Sequence, residues 1–370
     1  MTWLSERFEL SHGDGAQPLR PMEGLRGLAV LLVFLVHYTT LAAPWLDGAS
    51  LSALLARLLH LAGNSGVDLF FVLSGYLIYG SLIARRQAFL PFMRRRLMRI
   101  YPTYGAVFLL YLALSLAVPA ESKIPPAAVD ATRYLLHNLL LLAPLLGEAP
   151  LITVSWSLSY ELFYYLATPL LIAAFGLRRR RRRWRVAFLF AVAGAIVAGY
   201  LAFGVPLRSL MFVAGALLHE ARGHRRDLGG RRRPPGEAVT LAALAGALVL
   251  LMLPLAAPLK IVVLAAALYR LCLCCFERAQ GRLARVFCFA PLRWLGNMSY
   301  SYYLLHGLLL KAALAALARL PQPEPGPLLF WGMLPLLLAV TLAGAAALFL
   351  LVERPLSLAP RRASFLASQA

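Results

Sequence analysis

What most constrains this chain is a succession of apolar runs separated by clusters of arginine. Several of the runs approach or exceed the roughly 18 residues that a bilayer-crossing helix needs. Across 370 residues, 61% of the side chains are hydrophobic and only 14% are charged, and the mean hydropathy is +0.71. This composition is that of an integral membrane protein. Lipid offers nothing to an unpaired backbone amide, so apolar runs of this length must be helical. The expected fold class is therefore all-α, a polytopic integral membrane protein.

The runs are Gly24 to Leu41, Val67 to Ile83, Tyr101 to Val118, Trp156 to Phe175, Val186 to Phe203, Leu207 to Leu218, Ala238 to Leu253, Leu259 to Phe276, Met298 to Leu317 and Leu328 to Val352. They predict about ten transmembrane helices. With that count nearly every arginine cluster falls on one side, which the positive-inside rule makes cytoplasmic, together with both termini. Residues 1–20 read as a cytoplasmic tail without a cleavable signal peptide, 21–355 as the membrane domain and 356–370 as a second tail. The basic stretch from Ala84 to Arg99 reads as a cytoplasmic loop, with Pro102 in the first turn of the helix that follows. Pro119 to Val154, interrupted by Pro144, reads as a short re-entrant or interfacial helix on the outer side.

The net charge of +21 invites nucleic acid as a partner. Topology and lipid headgroups explain the arginines better, because they lie between apolar runs, and no nucleic acid is expected. Cys272, Cys274 and Cys275 share one apolar run with no soluble βαβ context and read as packing residues. No internal repeat marks an inverted-repeat transporter.

Polar residues at membrane depth collect in four of the runs. In MEGLRGLAVLLVFLVHYTT, Arg26 and His37 are eleven residues apart, which is about three turns and about 16 Å on one side of a helix. An unpaired charge there costs at least about 2.5 kcal/mol, so the pair marks a polar interior, although Arg26 alone could snorkel. The second run gives Asp68 and Ser74, the fourth Trp156, Ser157, Ser159 and Glu161, and the ninth Asn297, Ser299, Ser301, Tyr302 and His306. His37 should lie about 18 Å in from the cytoplasm. Asp68 and Glu161 should lie near the outer end, so the three are expected to converge. A carboxylate would then orient the imidazole and leave its second nitrogen as a base. His306 is expected nearer the cytoplasm. The bland alternative makes Asp68 or Glu161 a structural partner of a buried arginine and the serines helix glue. Arg96 and Arg99, one turn apart, suit a phosphate-bearing ligand, whereas Arg94 and Arg95 are explained by topology.

Arg26-x10-His37, GVDLFFVLSGYLI, Arg96-x-x-Arg99, WSLSYE and LGNMSYSYYLLH, in that order, resemble the acyltransferase-3 family of bacterial membrane O-acyltransferases. The likeness runs from about residue 20 to 355. It implies transfer of an acyl group, usually acetyl from acetyl-CoA, to a hydroxyl of a glycan, lipid-linked sugar or metabolite, in the bacterial cytoplasmic membrane and without a metal. It also implies that Arg26, His37, Arg96 and Arg99 are essential. His37 would be the general base, aided by Glu161 and Asp68. Ser74, Trp156, Ser157, Asn297, Tyr302 and His306 would contact substrate or stabilise the oxyanion. Some relatives carry a soluble C-terminal hydrolase-like domain, whereas this sequence ends at Ala370. A lipid-linked intermediate, saccharide or secondary metabolite is therefore expected as acceptor over a mature wall polymer. The competing readings are a transporter or flippase for an anionic lipid or solute, and a scaffold binding anionic lipid.

Overall fold

The structure, a computed structural model, describes residues 3–10, 20–46, 50–227, 234–278, 280–320 and 326–358. Arg231 to Arg233, most of the expected N-terminal tail and everything beyond Leu358 lie outside the described residues. Among those described there are helices and turns and no strand. In chain order the helices are α1 (Trp3–Phe8), α2 (Arg20–Leu41), α3 (Leu51–Ile83), α4 (Phe89–Ala117), α5 (Ala128–Leu139), α6 (Trp156–Ala174) and α7 (Arg182–Phe203). They continue with α8 (Ser209–Asp227), α9 (Glu237–Met252), α10 (Ala257–Glu277), α11 (Arg282–Phe287), α12 (Ala290–Asn297), α13 (Ser299–Leu317) and α14 (Pro327–Leu348). A π-helical segment, Phe349–Leu358, follows α14 directly. Among the described residues seven helices, α2, α3, α4, α7, α10, α13 and α14 with its π-helical extension, are long and apolar enough to cross a bilayer. Helices α6, α8 and α9 stand where three further spans were expected. The chain is a multi-pass integral membrane protein.

Three boundaries differ from the sequence expectation. Helix α3 begins at Leu51, well before Val67, with the Ser50 side chain accepting the Ala53 amide, an N-cap hidden by the scattered charge and polarity of Arg57, His60 and Asn64. Its 33 residues make it about 50 Å long against a hydrocarbon core of about 30 Å. Helix α4 begins at Phe89, so Arg94 to Arg99 are helical, and Pro102 lies in the helix interior. Helical structure continues past Val352, where the last apolar run ends, to Leu358, and Glu353 within it is fully buried.

Close helix crossings are made by glycine. A Cβ on Gly75 of α3 would lie 2.2 Å from the Phe212 carbonyl oxygen of α8, and one on Gly215 of α8 would lie 2.1 Å from that of Val72. At the start of α2, a Cβ on Gly24 or Gly27 would strike the carbonyls of Phe287 or Leu292, and one on Gly296 that of Glu23. These contacts replace side chains with backbone approach, the usual means of packing helices in lipid.

Part of the arginine content is structural as well as topological. The Arg185 guanidinium donates to both oxygens of Glu220, at 2.5 and 2.8 Å, and Tyr79 donates to the same carboxylate at 2.7 Å. Arg222 bonds Glu277 and Tyr76, and Arg178 bonds the carbonyls of Leu82 and Gln87. These links tie α3, the turn after α6, α7, α8 and α10 together.

Candidate functional site

Helices α2 and α13 meet at two levels. Near one end, the Arg26 guanidinium donates to the Ser299 hydroxyl at 3.0 and 3.3 Å. Further along, the rings of His37 and His306 meet edge to face, 4.8 Å between centroids. Residue numbers rise together from the first contact to the second, so the two helices run parallel.

The first level opens onto a cavity of about 110 Å³. Arg26, Arg96, Arg99, Ser74, Ser157 and Glu161 line it, with Tyr165, Ser299, Tyr300 and Tyr303. Three guanidiniums against one lining carboxylate leave a basic chamber inside an apolar bundle. The i, i+3 spacing puts Arg96 and Arg99 on its wall, while Arg94 and Arg95 are exposed. The Arg96 guanidinium stacks over Phe92 and Tyr165, at 5.4 and 5.3 Å from the ring centres. Among the described residues, no carboxylate lies within ion-pair distance of Arg26 or Arg96. Arg99 has one, Glu353, at 3.3 Å, and that carboxylate also accepts from the Ser301 amide and hydroxyl at 3.0 and 2.6 Å.

The second level fixes hydrogens. Nδ1 of His306 faces the carbonyls of Tyr302 and Tyr303, at 3.0 and 2.9 Å. Carbonyls only accept, so in the neutral ring Nδ1 carries the hydrogen and Nε2 is a lone pair. Nε2 of His306 lies 3.3 Å from Nδ1 of His37, which also faces the Val33 carbonyl at 2.9 Å. Both neighbours accept, so Nδ1 of His37 is the protonated nitrogen. Its Nε2 is left as a lone pair that no described residue engages. His306 is wholly buried and His37 partly exposed. The His60 imidazole, on the early turns of α3, sits 3.3 Å from the hydroxyls of Thr39 and Thr40 at the end of α2.

Several expected placements are corrected. Glu161 does not join His37: its Oε1 accepts from Ser74 at 2.9 Å and Tyr165 at 2.7 Å within the arginine chamber. Asp68, 2% exposed, faces Arg208 at 3.6 Å, and Arg208 in turn lies over Trp156, 5.5 Å from its ring centre. The three expected to converge are thus in three places. His306 is not removed toward the arginine end but packs on His37. Asn297 donates to the Phe8 carbonyl at 2.9 Å, tying α12 to α1, and Tyr302 bonds Thr341 at 2.8 Å, so neither faces the chamber.

Residues that the sequence reading passed over are Tyr303, Tyr165 and Glu353. Tyr303 lies about 40° round the helix from Ser299, a phase that would have found it. It lines the chamber, its hydroxyl bonds Ser157 at 2.7 Å and the Val154 carbonyl at 3.0 Å, and its ring packs beside Phe70 and His306. His37 and His306 are not among the chamber's lining residues. Tyr303 borders both levels.

Comparison with known proteins agrees with this reading of the sequence. The chain is 32% identical over 209 residues to the acyltransferase MdmB of Streptomyces mycarofaciens, covering 52% of each chain. It is 25% identical over 374 residues to YrhL of Bacillus subtilis, named a putative peptidoglycan O-acetyltransferase, covering 90% of this chain and 54% of that one. It is 30% identical over 190 residues to the O-acetyltransferase OatA of Staphylococcus aureus, covering 46% of this chain and 27% of OatA. The chain thus spans about half, or less, of the length of these relatives. No solved structure matches it. The acyltransferase-domain profile matches residues 21–350, and the chain belongs to the acyltransferase-3 family.

Proposed function

We propose that the protein is a membrane O-acyltransferase that moves an acyl group, acetyl first among candidates, from acyl-CoA to a hydroxyl of a saccharide, lipid-linked glycan or secondary metabolite. The observation that carries this reading is the hydrogen-bond chain from two backbone carbonyls through His306 to His37, which leaves Nε2 of His37 as an open base. In this mechanism Nε2 takes the acceptor hydroxyl's proton as that oxygen attacks the thioester carbonyl. The tetrahedral intermediate collapses with cleavage of the carbon–sulfur bond, and the departing thiolate recovers the proton. His306 acts as a positioning residue.

The basic chamber supports a polyanionic donor. Arg26, Arg96 and Arg99 would hold phosphate or the thioester carbonyl, while Glu353 keeps Arg99 in place. At about 110 Å³ the chamber is smaller than the roughly 300 Å³ at which ligand pockets begin, so admission of a pantetheine arm requires it to widen. Tyr303 is the side chain whose release from Ser157 and Val154 would join it to the imidazole pair. The partly exposed His37, beside His60 and the two threonines, offers the acceptor a separate approach. All three relatives are bacterial, which supports placement in a bacterial cytoplasmic membrane.

The test is release of CoA from acetyl-CoA by the purified protein with a panel of hydroxylated acceptors, with His37→Ala alongside and thermal melting of both. General-base removal should cost about 10²- to 10⁴-fold with the melting temperature retained. Translocation of a lipid or solute that survives His37→Ala, with no acceptor-dependent CoA release, would replace this reading with the transporter one.

A further inference from the structure

A second concavity, of about 1050 Å³, lies away from the arginine chamber, against α1, α2, α11, α12 and α14. Its wall is apolar: Phe8, Leu31, Met298, Leu338 and Leu342 are representative. Two charged side chains line it, Arg282 and Arg285 on one face of α11. Both are exposed, and neither has an ion-pair partner among the described residues. Glu9 and Glu23 are engaged by Arg293.

The groove has a direction. Phe8 of α1 stacks on Phe349, 5.6 Å between ring centres, so the end of α14 lies at the α1 side. From Ala346 back to Leu338, both lining, the groove follows α14 for about 12 Å, close to the half-thickness of a hydrocarbon core of about 30 Å. Among the lining residues Leu4, Val286 and Phe289 are exposed, at 43%, 58% and 63%, beside the two arginines. Apolar and aromatic exposure interleaved with arginine is the composition of a headgroup-level surface.

We propose that this groove is a binding site for an anionic phospholipid of the leaflet that α11 faces, with acyl chains along α14 and the phosphate on Arg282 and Arg285. Charge complementarity selects the occupant. A zwitterionic lipid would fill the apolar wall equally well but leave the arginine pair without net negative charge. The site is separate from the chamber proposed to take the acyl donor and stands whether or not that reading holds.

The experiment uses the full chain in detergent, titrated with dioleoylphosphatidylglycerol, dioleoylphosphatidylcholine or inorganic phosphate, with retained lipid counted by native mass spectrometry and melting followed in parallel. At about a fivefold gain per arginine near an anionic headgroup, phosphatidylglycerol should be preferred about thirtyfold over phosphatidylcholine. The Arg282→Ala/Arg285→Ala variant, altered only at exposed positions, should bind the two lipids alike. Leu342→Trp, which fills the groove, should retain neither. Equal retention of both lipids by the wild type, or an undiminished preference in the double arginine variant, overturns the proposal. So does a melting shift reproduced by inorganic phosphate alone. If Leu342→Trp does not fold, Ala343→Leu at the same wall provides the same reading with a smaller intrusion.

Discussion

Nε2 of His306 approaches Nδ1 of His37 to 3.3 Å, and behind it the carbonyls of Tyr302 and Tyr303 hold the other nitrogen of His306. The carbonyls of one helix thus decide which nitrogen of an imidazole on another is free. In His306→Gln a flexible amide replaces a fixed ring. It is expected to lower kcat by about 10-fold to 100-fold, a fraction of the general-base contribution, with KM for the acyl donor unchanged. Steady-state kinetics together with melting curves check this, because a merely structural role would shift stability and leave kcat per folded molecule intact.

Glu353 holds Arg99 while accepting two hydrogen bonds from Ser301. Glu353→Gln preserves an acceptor for Ser301 but removes the charge facing the guanidinium. Donor KM is expected to rise about tenfold, roughly the worth of one charge-assisted contact, with kcat little altered. Isothermal titration with CoA measures the same loss directly, and an unchanged affinity would detach Arg99 from donor binding.

Tyr303→Phe keeps the ring beside Phe70 and His306 but removes the hydroxyl that bonds Ser157 and the Val154 carbonyl. With that closure loosened, acetyl-CoA should be hydrolysed faster in the absence of any acceptor, by about fivefold to thirtyfold, the worth of one to two ordinary hydrogen bonds. A thiol-release assay without acceptor reads this leak. Identical background rates in both proteins would show that the tyrosine closes nothing.

Helix α3 crosses α8 where a Cβ on Gly75 would meet backbone at 2.2 Å. Gly75→Ala should destabilise the protein by about 1–3 kcal/mol, the range for overpacking. Gly246→Ala on α9, with nothing within 4 Å of the added carbon, should be neutral or stabilising by up to about 1 kcal/mol. Unfolding in detergent by chemical denaturant compares the two.

Asn297 donates to the Phe8 carbonyl and does not line the chamber. Asn297→Ala should lower stability by about 1–3 kcal/mol and leave donor KM and kcat unaltered. A selective loss of turnover would return it to the catalytic role that the sequence suggested.

The apolar runs and arginine clusters were enough to read an all-helical membrane fold, and the spacing of Arg26 from His37 was enough to read two polar levels on one side of α2. What they did not supply was relative depth. Placing Glu161 and Asp68 beside His37 assumed that each helix starts where its apolar run starts. Ser50 caps α3 well before Val67, and Glu161 bonds Ser74 in the middle of that helix. Pairings between helices such as His37 with His306, or Arg99 with Glu353, depend on axial offset and rotation, which hydropathy does not encode. Asn297 and Tyr302 looked functional because polar residues in an apolar run are costly. That cost is met by a partner on a neighbouring element whether or not a ligand is involved.

Glu353 has a mechanical consequence. The guanidinium of Arg99 is fastened to a side chain five residues before Leu358, the last residue of the π-helical segment that prolongs α14. A load applied beyond that point, whether a fused reporter or an adjoining module, is transmitted along a short stretch of backbone to a wall of the basic chamber. Tags placed there would report on that chamber instead of riding passively behind the protein.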